Sequence, residues 1–120
     1  MTKILFLSRH KMTAEQLHDL ERIYGKITID TLDSTISSAE ELCTRCEGFD
    51  ILAAVLPFHM YVEFFRVKPK NLKVIFARSR RIPTGETVIN KDSGKPESRY
   101  LFEHDGWTEI HSLNCELLDL

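Results

Sequence analysis

No apolar run in this chain approaches the ~20 residues that a helix needs to cross a bilayer, which sets membrane-spanning helices aside. Cysteine is scarce. Its three copies are an odd number, which argues against a disulfide framework. Cys43 and Cys46 have C-x-x-C spacing, but no second such pair and no histidine pair accompanies them. Zinc would need two further ligands, so no metal site is expected. The pair also falls inside an expected helix, not at a helix start after a strand where redox-active pairs sit. It reads as structural, with Cys46 turned to the core. Internal repeats and low-complexity tracts are absent. Only four apolar residues, Ile4 to Leu7, follow Met1-Thr2-Lys3, too few for a secretory leader, so a cytoplasmic location is expected.

What is present is an ordinary globule in composition. The 120 residues, 42% apolar and 28% charged, suit one domain. Net charge is only −2, but the charges are segregated. Residues 1–11 carry three bases and no acid, and residues 12–63 carry three bases and ten acids. Residues 64–100 hold ten bases and three acids, and residues 101–120 hold five acids and no base. Two basic blocks flanking an acidic one can converge on an anionic ligand, or can be ordinary solvated faces. A long nucleic acid is not expected, because domains that bind one tend to be basic overall.

Hydrophobic periodicity predicts β-α-β-α-β-α-β over residues 3–77. Lys3–Leu7 is the first strand. Thr13 and Gln16 are spaced as a capping box for a helix to Tyr24, with Gly25 as its stop. Residues 27–29 form a second strand. Ser37 and Glu40 are spaced as a second capping box, opening a helix that Gly48 ends. Residues 50–56 are continuously apolar after Asp50, which suits a strand buried on both faces, and Pro57 ends it. A helix over 59–67 and a strand over 72–77 follow. The expected fold class is α/β, a Rossmann-like parallel sheet of about four strands with helices on both faces. Residues 1–80 would be the core and 81–120 an antiparallel β extension. Short strands are expected at 87–89, 99–102 and 107–110, with a tight turn at His104-Asp105-Gly106. Leu113, Leu117, Leu118 and Leu120 would close the core or a dimer contact.

Ligand crevices in such sheets lie beyond the carboxyl ends of the parallel strands. Three of these ends carry suitable side chains: Ser8-Arg9-His10 after the first strand, His59 after the third, and Arg78-Ser79-Arg80-Arg81 after the fourth. Arginines grip phosphate bidentately, and the free N–H groups of the first helix add partial positive charge. His10 suits general acid–base work, and Ser8 can donate a hydrogen bond or orient it. His59 also reads as a simple helix-start residue, and the arginines as a solvated loop. His18, His104 and His111 read as structural or turn residues. Phe58, Tyr61, Phe64 and Phe65 read as core or subunit contact.

The strand followed by Ser8-Arg9-His10, Met12-Thr13 and Gln16 resembles the N-terminus of the small CRISPR-associated, CARF-like ring nucleases. The resemblance covers mainly residues 3–24. It implies a homodimer that binds a cyclic oligoadenylate, the tetra-adenylate above all, across its two-fold axis and cuts the ring without metal or other cofactor. The ribose 2′-hydroxyl attacks the adjacent phosphorus and leaves a 2′,3′-cyclic phosphate. Arg9 and His10 would then be catalytic with Ser8. Thr13, Gln16, His59, Arg78, Ser79, Arg80 and Arg81 would hold the ligand. Residues 7–13 also resemble the Arg-His-Gly-x-Thr opening of histidine phosphatases, with Lys11 in place of the glycine and no evident second histidine. A non-catalytic sensor of the same nucleotide stays open, since binding and catalytic arginines look alike in sequence.

Overall fold

Ile4 and Leu5 are neighbours in sequence, yet they end in two different cores. That is what a strand sandwiched between two helix layers requires, because successive side chains point to opposite faces. In this computed structural model, which describes residues 1–118 and 120, β1 (Thr2–Leu7) lies between β2 (Ile27–Leu32) and β3 (Ile51–Ala54). β4 (Lys73–Ile89) and β5 (Pro96–Ile110) complete a five-stranded sheet of order β2-β1-β3-β4-β5. The first four strands are parallel, and β5 runs antiparallel to β4.

One face is covered by α1 (Ala14–Tyr24), whose Leu20 is fully buried with Ile4, Ile51, Ala53 and Ile75. The other is covered by α2 (Ala39–Arg45) and α3 (Phe58–Val67), whose Leu42 and Phe64 pack with Leu5, Leu52, Ala54 and Val74. Full burial of a side chain the size of Leu20, Leu42 or Phe64 stabilises the fold by about 1.5–3 kcal/mol. The α/β class with helices on both faces is therefore observed. The chain enters the sheet at β1, steps out to β2, and returns past β1 to β3 and β4, so the order reverses between β1 and β3.

The cap at α1 is as expected. Thr13 Oγ1 accepts from the Gln16 N–H at 3.2 Å, and Gln16 Oε1 accepts from the Thr13 N–H at 3.0 Å. At α2 the expected box is one residue out of place: Ser38, not Ser37, is the N-cap, accepting from the Glu41 N–H at 3.1 Å. Glu41 reaches back to the N–H and hydroxyl of Ser37, not to the cap residue. Those donors hold the Glu41 carboxyl below its usual range, the Ser37 N–H first. Cys46 is buried as expected, though it is the C-cap that follows α2 and not a residue within the helix, and burial pushes its thiol up to about 12.

The last third departs from expectation. β4 does not stop at Ala77; it continues to Ile89, so residues 87–89 are its far end. Residues 99–102 and 107–110 belong to one strand, β5, and His104-Asp105-Gly106 is no turn. The reversal lies at Asn90–Lys95, closed by the Asn90 N–H to the Lys95 carbonyl at 2.9 Å. The pair forms an arm whose outer half covers no core, leaving Ile89 and Leu101 more than half exposed. It lengthens the molecule to 48 Å, with a radius of gyration of 17.3 Å against about 14 Å for a compact chain of this length. Among the described residues, no helix is long and apolar enough to cross a membrane. Leu113, Leu117, Leu118 and Leu120 lie after β5, and the last three are exposed.

Candidate functional site

A cavity of about 660 Å³ opens above the carboxyl ends of β1 and β3, where the strand order reverses. Sheets of this kind place their ligands there. Its first wall is the β1–α1 loop, contributing Ser8, Arg9, His10 and Thr13. Ser8 Oγ accepts from the His10 N–H at 3.1 Å, so the hydroxyl fixes the loop backbone at His10 and not the imidazole itself. Both Arg9 and His10 are exposed. The capping box occupies the oxygens of Thr13 and Gln16 and the Thr13 N–H. What is left for a ligand is the Thr13 hydroxyl proton, the Gln16 amide N–H₂ and the backbone N–H groups of Ala14 and Glu15, which have no intrahelical acceptor.

The opposite wall is the base of the arm, with Arg78 and Ser79 of β4 and Phe102, Glu103, His104 and Trp107 of β5. Arg9 and His10 thus share one cavity with Arg78 and Ser79. Arg80 and Arg81 do not join them. Residues 78–81 form a strand, not a loop, and extended backbone carries each next residue further along the arm and to the other face. Arg80 pairs with Glu103 at 3.1 Å, and Arg81 lies over the Tyr100 ring at 4.2 Å. His59 is exposed in the first turn of α3 and does not line the cavity.

A β-bulge builds the arm wall. Ala77 pairs with Trp107 and Arg78 with Gly106, but Ser79 pairs with His104, so Asp105 is an extra residue. Three apart, residues 104 and 107 would ordinarily face opposite sides. The bulge puts both on the α1 face, beside Ala77 and Ser79. There Trp107 donates its indole N–H to the Gln16 carbonyl at 3.1 Å. The imidazole Nε2 of His104 lies 3.0 Å from Asp19 Oδ2, with only 9% of the side chain exposed. Asp19 also binds Arg22, at 2.6 Å. Arg22, and then His104, hold the Asp19 carboxyl below the usual carboxylate range. Nδ1 of His104 is buried with no hydrogen-bond partner. On the other face, the Arg78 guanidinium lies across Gly106 and donates to the Asp105 carbonyl at 3.3 Å.

Sequence reasoning missed His104, Asp19 and Trp107. His104-Asp105-Gly106 carries the residue types of a tight turn, and only the pairing partners reveal a bulge. Of the other histidines, His18 is exposed on α1, and His111 lies one residue past β5, not within a strand, 2.6 Å from Glu109. Phe64 is core, Tyr61 and Phe65 are half-buried against it, and Phe58 is exposed. Among the described residues, no cluster of His, Cys, Asp and Glu is arranged to hold a metal. Comparison with protein-family models, curated proteins and solved structures finds no match to this chain.

Proposed function

We propose that this chain binds a cyclic oligoadenylate of tetra-adenylate size in the cavity between β1 and the arm, and opens the ring by attack of a ribose 2′-hydroxyl. The observation that carries this reading is the convergence of Ser8, Arg9 and His10 with Arg78 and Ser79 around one cavity of about 660 Å³. Cations from two strand ends, with the positive end of α1, suit a ligand with several phosphates. Arg9 would stabilise the charge on the pentacoordinate phosphorus, and His10 would transfer a proton. A cavity of this volume suits a ligand of drug size, smaller than a ring of four nucleotides. A second copy related by a two-fold axis would supply the other half of the binding surface.

The test is incubation with radiolabelled cyclic tetra-adenylate in EDTA. The expected product is linear and ends in a 2′,3′-cyclic phosphate, and His10→Ala should reduce cleavage far more than binding. Binding without product makes the chain a sensor, and no binding overturns the reading altogether. One observation favours a second reading: His104 shares the cavity with Arg9 and His10, as a two-histidine phosphomonoesterase would require. That reading expects hydrolysis of p-nitrophenyl phosphate and a phosphohistidine trapped at His10.

A further inference from the structure

Opening a ring by an internal 2′-hydroxyl needs two proton transfers, one off the attacking oxygen and one onto the leaving oxygen. His10, exposed on the β1–α1 loop, can perform one of them. A second imidazole lines the same cavity, and its setting differs. His104 is held from behind by Asp19 at 3.0 Å, packed at a tilt against Trp107 with ring centroids 5.9 Å apart, and nine-tenths buried.

Asp19 decides which nitrogen is basic. A carboxylate accepting at Nε2 fixes the proton there, so the neutral ring presents its lone pair at Nδ1. Nδ1 is the one buried side-chain nitrogen or oxygen, among the described residues, that has no partner. Leaving such a group unpaired forfeits its hydration, and native folds seldom retain one without a use. The bulge at Asp105 is what turns His104 to this face. Bulges of this kind are over-represented next to active sites, where they re-aim a side chain. The other charged groups on the cavity wall are Arg9 and His10 from the loop, Glu15 from α1, Arg78 from β4 and Glu103 from β5.

Resting on the ring-opening reading above, we propose that His104, backed by Asp19, is the general base for the 2′-hydroxyl and that His10 is the general acid. The 2′-oxygen bonds to the adjacent phosphorus while its proton passes to Nδ1 of His104. The bond from phosphorus to the 5′-oxygen breaks, and that oxygen takes a proton from His10. One cyclic phosphate and one 5′-hydroxyl result, with no oxidant or metal in the balance. Asp19 is a positioning residue, since it acts through His104. Nδ1 is covered, so the base of the arm has to shift for a 2′-hydroxyl to reach it. Its side-chain links to α1 are His104–Asp19 and Trp107–Gln16.

Single-turnover cleavage of radiolabelled cyclic tetra-adenylate, followed from pH 5 to 9, tests this in the intact 120-residue chain. His104→Gln should slow cleavage about 100-fold, keep ring affinity within about threefold, and remove the fall in rate on the acid side. Asp19→Asn should slow cleavage at least about tenfold while keeping ring affinity within about threefold, because an amide no longer enforces the tautomer that leaves Nδ1 free. Cleavage by His104→Gln within about threefold of wild type, with the acid-side fall intact, would overturn the assignment. So would wild type that binds the ring and leaves it whole. Wild type that does not bind the ring removes the ring-opening reading itself. If His104→Gln fails to fold, Asp19→Asn decides, and cleavage by it within about threefold of wild type counts against the base.

Discussion

Replacing Gly106 by Ala perturbs the bulge and the cavity together. Gly106 sits at φ 137°, a region that L side chains rarely adopt, and a methyl there would overlap Nη2 of Arg78. Two costs follow, and they separate. The backbone strain is about 1–3 kcal/mol and no neighbour can relieve it. Alanine also restricts the unfolded chain, which offsets about 0.4–1 kcal/mol. The overlap is with the far end of a flexible side chain, so Arg78 can swing away at the loss of its bond to the Asp105 carbonyl. The net expectation is a loss of about 2 kcal/mol of stability, read as a lower urea midpoint at unchanged slope. In an Arg78→Ala background the overlap is gone, and the same substitution should cost about 1 kcal/mol. The difference between the two backgrounds measures the coupling. If the cavity takes the ring proposed above, Gly106→Ala should also weaken its binding, because Arg78 no longer rests where the glycine holds it. An Ala variant as stable as wild type in both backgrounds would refute the bulge as the device that shapes this wall.

Further expectations are independent of that one. In a Cys43→Ala/Cys115→Ala variant, the remaining Cys46 thiol, pushed up to about 12 by burial, should resist a disulfide reagent at pH 8 and react promptly in urea. Leu42→Ala, at a site with no exposure, should cost about 2–5 kcal/mol by urea unfolding. Thr13→Ala removes half of a capping box and should cost about 1 kcal/mol. Asp19 ionises more readily folded than unfolded, because of Arg22 and then His104. Its contribution is therefore complete above the ordinary value of 3.8 and is lost as pH falls through the lowered folded value. Asp19→Asn should flatten the acid limb of stability against pH, and an unchanged limb would count against the pairing.

Periodicity made the first two thirds of this chain legible. Four apolar residues at Ile4–Leu7 and a capping box at Thr13–Gln16 each state a local preference that the fold obeys. The apolar run at residues 51–56 marks β3 but overstates it, since the strand ends at Ala54 and Val55 is exposed. Ser37 and Ser38 are both competent caps, and sequence spacing alone could not choose between them. Half of the cavity was legible for the same reason. Ser8, Arg9 and His10 follow a buried strand directly, and a parallel strand of this length has to deliver its next residues to the ligand edge.

The arm was not legible, because its partners lie far apart along the chain. Whether Arg78 to Arg81 form a loop or a strand depends on β5 pairing beside them, and residue types alone carry no information about that. Local sequence settled where strands begin, which helices are capped and which residues leave β1. Tertiary pairing alone decided that Asp105 is supernumerary, that His104 consequently faces α1, and that Asp19, 85 positions earlier, meets it. Periodicity specifies a side chain's phase within its own element, but only the register between elements specifies what that side chain touches.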